Sequence, residues 1–309
     1  MALSNRLPGL EESEITVFDS LTYSGNLSNL DSVKNSSRYS FIQGDIRDSL
    51  KVAQALEGHD AIIHFAAESH VDRSVTDSRI FVETNVVGTQ TLLDQSLALG
   101  TNRFVHVSTD EVYGSIDEGS WDENQSLLPN SPYSASKAAS DLLVRSYFVT
   151  HGLNASTTRC SNNYGTHHFP EKVIPLFVTN LLDGLKIPLY GDGANVRDWL
   201  HVDDHCRGIA LVLQGGKPGE TYNIGGGTEL TNTELTHLLL DATGRDESFI
   251  EHVEDRKGHD RRYSVDIGKI RSELGYEPQV PFESGLADVV QWYRENRAWW
   301  EPLKEQTTP

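Results

Sequence analysis

Basic charge, sulfur and long apolar runs are all scarce in this sequence. Lys and Arg number 26 against 45 Asp and Glu, a formal net charge of −19, which argues against a surface for nucleic acid or an anionic membrane. An anionic small ligand is not excluded, because local groups can hold one. The two cysteines, Cys160 and Cys206, are too few for a disulfide framework and fit a reducing compartment. No apolar run approaches the roughly 18 residues of a membrane span, and the N-terminus lacks a signal-peptide core, so the cytoplasm is expected. Repeats and low-complexity tracts are absent, and only the last few residues read as disordered. What remains is an ordinary globular composition, 37% hydrophobic and 23% charged over 309 residues, which at about 150 residues per domain suggests two lobes.

The stretch that organises the chain is Phe104–Gly114 (FVHVSTDEVYG), followed by Tyr133–Lys137 (YSASK). Phe104, Val105 and Val107 read as a buried parallel strand that stops at Ser108, Thr109, Asp110 and Glu111, and in open α/β sheets ligands bind at that end. The second segment follows the turn material Pro129–Pro132 and opens a helical pattern, so Tyr133 and Lys137 share one helix face at i and i+4. Of 11 tyrosines, only Tyr133 has a lysine four positions on. A tyrosine becomes a usable base near neutral pH only when a cation stabilises its phenolate, and Lys137 is placed to be that cation.

The chain in order supports an α/β reading. Ile15–Asp19 is a short strand ending in an acid, the position from which a dinucleotide-binding βαβ unit contacts ribose hydroxyls. Upstream of Asp19 the only glycine is Gly9, so the glycine loop that presents backbone N–H groups to a pyrophosphate is missing. Met1 is accordingly expected to be an internal methionine of a first helix ending at Pro8-Gly9, with about 20 residues of strand, loop and helix preceding it; absence of the central strand would expose two inner strand edges. Further strands are expected at Tyr39–Asp45, Ala61–Phe65, Ala155–Cys160 and Tyr222–Gly226. Helices are expected at Ser49–Leu56, capped by Asp48 or Ser49, across Thr84 and Asn85 to Gly100, and as one amphipathic helix over Phe282–Trp300. His64 and His70 read as structural. His201 and His205, with Asp203 and Asp204 between them, have zinc-ligand spacing; that reading is set aside because a motif without structural context carries a high false-positive rate, and Asp203 or Asp204 is expected to cap the next helix.

These segments resemble the extended short-chain dehydrogenase/reductases, whose Tyr-x-x-x-Lys pair and upstream Ser/Thr form the catalytic set. Within them, Ser108–Gly114 (STDEVYG) resembles the dTDP-glucose 4,6-dehydratases. Sugar epimerases usually carry small residues at the positions of Asp110 and Glu111, and GDP-mannose dehydratases carry Ser at the first, so the Asp-Glu pair discriminates. The resemblance covers nearly all of the chain from Ile15 onward. It implies a Rossmann-like doubly wound parallel sheet over residues 1–165, lacking its first strand and glycine loop, and a smaller α/β substrate lobe over 166–309 with segments that return to the first. It also implies NAD as cofactor, dTDP-glucose as substrate, no metal, and a homodimer, for which Leu142, Leu143, Val144 and Tyr147 could serve either interface or core.

Residue by residue, the resemblance implies catalytic roles for Thr109, Asp110, Glu111, Tyr133 and Lys137. Tyr133 and Lys137 also face the cofactor, together with Asp19, Ser20, Leu21, Thr22, Asp45, Ile46, Phe65, Ala66, Ala67, Thr84 and Asn163. Substrate contacts are implied for Ser69, Thr109, Asn162, Lys172, Val173, Pro188, Tyr190, Arg197, Asn223, Asp255 and His259. Lys172, Arg197 and the run Asp255–Arg262 (DRKGHDRR) concentrate positive charge suited to a nucleoside diphosphate. Another nucleotide-sugar dehydratase, decarboxylase or epimerase is the neighbouring reading. A truncated, non-catalytic scaffold or partner subunit is the alternative of a different class, favoured by the missing loop and opposed by the retained Tyr133, Lys137, Asp110 and Glu111.

Overall fold

The computed structural model describes residues 12–305; the expected helix ending at Pro8-Gly9 lies outside them. The centre of the molecule is a four-stranded parallel sheet. Its strands are β3 (Ala61–His64), β4 (Arg103–Thr109), β5 (Ala155–Cys160) and β9 (Thr221–Ile224), in the order β3-β4-β5-β9. Every residue of β4 is buried, as a strand covered on both faces must be. Registers such as Val105 opposite Ile63 and Ser156 bring the C-terminal ends of these strands to one rim. A second parallel pair, β1 (Ile15–Asp19) and β2 (Tyr39–Gln43), runs beside it. Among the described residues no ladder joins β1 to β3. Their link is made by side chains: Thr16 Oγ1 lies 2.8 Å from His59 Nε2, and Phe18 packs against the core that contains Ile46, Val52 and Leu92.

The helices follow their local signals, with three departures. Asp48 caps α1 (Ser49–Leu56) by accepting from Leu50 N and Lys51 N, one of the two residues expected to do so. The helix expected to run through Thr84 to Gly100 is interrupted by a π-helical segment, Val82–Gly88, before α3 (Thr89–Leu99), where the Asn85 carbonyl accepts from Thr89 Oγ1 and Ser140 Oγ. The helix α4 (Pro132–His151) starts at a Ser131/Ser134 capping box with Pro132 in its first turn, a start that preorganises the helix. Of its expected apolar residues, Val144 is core, Leu143 and Tyr147 pack partly against it, and Leu142 is exposed.

Beyond β6 (Asn162–Tyr164) lies a smaller assembly. It contains α5 (Val173–Leu182), the parallel pair β7 (Ile187–Tyr190) and β11 (Ile250–Val253), and β8 (Val196–His201), which lies between β6 and β10 (Glu229–Thr231). Its core gathers Ile174, Val178 and Leu181 with Leu239 of α7 (Asn232–Thr243), Val289 and Trp300. The helix α6 (Val202–Gly215) is capped by His201, whose Nδ1 accepts from Asp203 N, rather than by Asp203 or Asp204. Asp204 instead accepts from Gln279 N and Val280 N, which holds the segment between α8 (Gly268–Leu274) and α9 (Phe282–Glu295). The amphipathic C-terminal helix is in fact two, α9 and α10 (Arg297–Glu305), broken where Asn296 leaves the helical region and turns its amide onto Trp292 O.

Candidate active site

The site is built where β4 runs out. Thr109 is still extended, and its hydroxyl accepts from Glu111 N at 3.2 Å, capping the 3-10 turn Asp110–Tyr113. This tight turn tucks Asp110 inward, 1% exposed, with Oδ1 accepting from Thr109 Oγ1 and Oδ2 left without a partner among the described groups. Gly114 ends the turn at φ +89°, and a Cβ there would stand 2.4 Å from Leu128 O, so only glycine lets the chain leave here. From α4, Tyr133 and Lys137 reach the same place, both buried. Phe81 meets the Tyr133 ring edge-on at 6.3 Å.

Burial dominates the electrostatics of these groups. The Asp110 carboxyl is pushed well above its ordinary range by burial, with the Glu111 and Asp198 charges adding to it. Glu111 is raised by burial, while Arg197 and Lys172 oppose the rise. The Tyr133 phenol is raised well above its usual value, first by burial and then by Glu111. Lys137 is lowered to about 8 by burial, against support from Asp141. Its ammonium donates to Val107 O at 2.8 Å. Lys137 thus lies buried beside Tyr133, as expected, while burial, with the Glu111 charge adding to it, favours the protonated phenol.

Around this centre the structure brings together segments far apart in sequence. Lys172 Nζ donates to Ser69 O at 2.7 Å. Arg197 is buried, donates to Val196 O and Asp260 O, and lies over the Tyr263 ring at 4.2 Å. Asn162 Oδ1 is buried without a partner, whereas Asn163 donates to Ser161 O and lies 2.9 Å from His205 Nδ1. On the other side, Asp19 Oδ1 accepts from Leu21 N at 2.7 Å, and Ser20 and Thr22 are exposed.

The family model for GDP-mannose 4,6-dehydratase matches residues 5–289 of the chain. A dTDP-glucose 4,6-dehydratase of Streptomyces antibioticus is 61% identical over 292 residues, 94% of this chain and 86% of that protein. One from Streptomyces niveus is 56% identical over 98% of this chain and 90% of its own length. The crystal structure of DesIV, a dTDP-glucose 4,6-dehydratase from Streptomyces venezuelae with NAD and dTDP bound, superposes with a TM-score of 0.95 at 62% identity, covering 98% of this chain and 93% of that one. This chain belongs to the dTDP-glucose 4,6-dehydratase family.

Several residues expected at the cofactor or substrate are engaged by other parts of this family member. Asn223 is fully buried and its side chain is used within the protein: Oδ1 accepts from Tyr113 OH, and Nδ2 donates to Trp121 O and Asp266 O. The Ile46 side chain belongs to the core, with Gly88 pressed against it. Asp45 is gripped by Arg47, which holds its carboxyl below the usual range against the opposing pull of burial. Phe65 is 38% exposed, while Ala66, Ala67 and Thr84 are half-buried. Asp255 is exposed and held by His259 Nδ1 at 2.7 Å. Val173 opens α5, and Pro188 and Tyr190 lie half-buried on β7.

Two features were missed in the sequence. Arg256 lies over the Tyr190 ring at 5.4 Å and pairs with Asp72; its place inside a basic run was visible, its selection from that run was not. Asn85, expected only as part of the helix across Thr84 to Gly100, is 1% exposed. Its amide pairs with both Glu68 N and Glu68 O and reaches Ser136 Oγ, tying the loop after β3 to the Tyr133 helix.

Proposed function

We propose that this chain converts dTDP-glucose to dTDP-4-keto-6-deoxyglucose and water, with NAD as an internally recycled hydride carrier. The observation that carries the reading is the pair at the end of β4: a buried Asp110 whose carboxyl is raised well above its ordinary range, next to Glu111 and facing Tyr133. The residues present fit a nicotinamide dinucleotide. Asp19 stands at the end of β1 where a ribose diol needs an acceptor, Ala66 and Ala67 leave room for close approach at the end of β3, and Tyr133 and Lys137 are buried at the same rim. When bound, NAD would supply the hydride acceptor for C4 and the donor for C6, and its positive nicotinamide would add to the Lys137 charge in favouring the phenolate.

The chain's own residues handle the protons. Tyr133 takes the proton of the C4 hydroxyl, and Thr109, on the same rim, orients that hydroxyl. The C4 ketone acidifies C5–H, which Glu111 removes. Asp110, held protonated, gives its proton to the departing C6 hydroxyl, which leaves as water. Glu111 then returns its proton to C5, and the proton that Tyr133 took from the C4 hydroxyl replaces the one Asp110 lost, by exchange through solvent, so each group ends the cycle as it began. Lys172 and Arg197, two buried or half-buried cations, converge on the same crevice, which suits a diphosphate, while the unpartnered Asn162 Oδ1 can accept from a substrate hydroxyl. The test is incubation with NAD and dTDP-glucose, UDP-glucose or GDP-mannose in parallel. A 4-keto product from dTDP-glucose is expected; turnover of another sugar nucleotide in its place overturns the substrate reading.

The chain acts as a homodimer in this reading, through the exposed Leu142 and Val149 of α4 and Val87 and Leu99 of the neighbouring helical stretch; sedimentation velocity at a dimer mass is the expected result. Two free cysteines, and no helix among the described residues long and apolar enough to cross a membrane, are compatible with the cytoplasm, and the product suits deoxysugar synthesis such as that of a rhamnose precursor.

A further inference from the structure

The loop after β1 needs holding. Leu21 sits in left-handed backbone, φ +51°, a strained setting for a leucine. Two residues on, Tyr23 reaches across the crevice and donates its hydroxyl to Glu171 Oε1 at 2.9 Å. Its ring meets Phe169 edge-on at 5.6 Å, and the Arg73 guanidinium lies 3.8 Å from its centroid. Arg73 Nε in turn donates to Glu171 Oε2 at 3.1 Å. The Glu171 side chain is only 8% exposed. Each of its oxygens is thus taken by a different segment, one from the loop after β1 and one from α2 (Val71–Thr76). A separate bridge, Arg256 to Asp72, spans the side that carries Tyr190, and its side chains are 27% and 40% exposed.

Glu171 is therefore more buried than either side chain of the second bridge, although its partner Arg73 is 43% exposed, and the proposed chemistry gives the buried carboxylate a use. An internal redox cycle returns its cofactor to the starting state at each turnover, so the dinucleotide can stay while only the sugar nucleotide exchanges. Exchange of a ligand beneath a closed loop waits on that loop opening. We propose that Glu171 is a positioning residue that clasps the loop Ser20–Tyr23 across the crevice and so retains NAD between turnovers. This rests on the cofactor reading given above.

The test uses the full chain as wild type, Tyr23→Phe, Glu171→Gln and the double variant. Each is loaded with NAD and its release is followed by tryptophan fluorescence; Trp299, whose Nε1 donates to Asn29 Oδ1 at 2.9 Å beside this loop, is a native reporter. Release is expected to quicken on the order of tenfold in each single variant, as for loss of a hydrogen bond to a charged group. The double variant should add little, because both changes cut one bridge, and kcat at saturating NAD should change less than the release rate. Asp72→Asn, on the other bridge, should raise KM for the sugar nucleotide and leave NAD release unchanged. Wild-type release rates in Tyr23→Phe and Glu171→Gln overturn the proposal, as does a fall in kcat with release unchanged. Should wild type hold no NAD, the cofactor reading and the clasp fall together.

Discussion

Replacing Asp141 with Asn tests the electrostatics beneath the catalytic helix. Asp141 lies one turn beyond Lys137 on α4 and is 4% exposed. Its Oδ2 accepts from Arg159 Nε at 2.9 Å, and Oδ1 stands 3.3 Å from His106 Nε2. Burial alone would raise this carboxyl, but Arg159 and His106 outweigh it and bring it to about 2 from 3.8. At roughly 1.4 kcal/mol per unit, this depression is equivalent to about 2–3 kcal/mol of stability at neutral pH. Because the folded value is the lower one, that stability is present above pH 3.8 and is lost as pH falls toward about 2. Asparagine preserves the shape and removes the charge, leaving Arg159 buried without its counter-ion, for which the usual cost is about 3–5 kcal/mol.

Urea unfolding at pH 7 should therefore show Asp141→Asn destabilised by about 2–5 kcal/mol, a large part of a typical total. The double variant with Arg159→Met should be less destabilised than the sum of the two single changes, since it removes both charges at once. A functional arm follows from the same geometry. Asp141 is the group that opposes the burial of Lys137, and Lys137 titrates near 8; without that support its ammonium is lost at lower pH, and the alkaline fall in kcat/KM should move in the acid direction. A cost below about 1 kcal/mol, together with an unchanged alkaline limb, would refute the reasoning.

Other outcomes follow from single residues. Asp110→Asn should leave the C4 oxidation intact and slow loss of water by about 10²–10⁴-fold, so reduced nicotinamide accumulates on mixing with substrate; wild-type formation of the final product would falsify the acid role. In the wild type, activity should decline as pH rises through about 8, where Lys137 loses its proton; a profile flat well beyond that value contradicts the assignment. Trp300→Ala should cost about 3–5 kcal/mol in denaturant unfolding, because the indole is fully buried and its Nε1 donates to Tyr293 O at 2.7 Å. Gly226→Ala would put a Cβ 1.9 Å from Trp199 O, and the forced shift should cost about 1–3 kcal/mol and weaken binding through the neighbouring Arg197.

What could be read from the chain was whatever local chemistry decides. The strand β4 was legible because its apolar residues stop at four polar ones, and Tyr133 and Lys137 were legible because helical spacing alone puts them on one face. Sequence spacing could not say where the Lys137 ammonium would point. That is set by the sheet, which offers Val107 O at 2.8 Å, and by the burial that pushes the Tyr133 phenol upward. Competition for one residue was equally hidden. Asp204, expected as a cap, falls within the first turn of α6 and accepts from Gln279 N and Val280 N, residues 75 and 76 positions away, while His201 caps the helix. Asn85 illustrates the limit most clearly. A helical asparagine is usually of no consequence, and nothing within a turn of it reveals that its amide pairs with both backbone groups of Glu68, 17 residues back, and reaches Ser136, 51 residues on. Its role exists only once the loop after β3 and the catalytic helix have met, which is why the alignment of the Tyr133 face is a property of the fold that no local motif could announce.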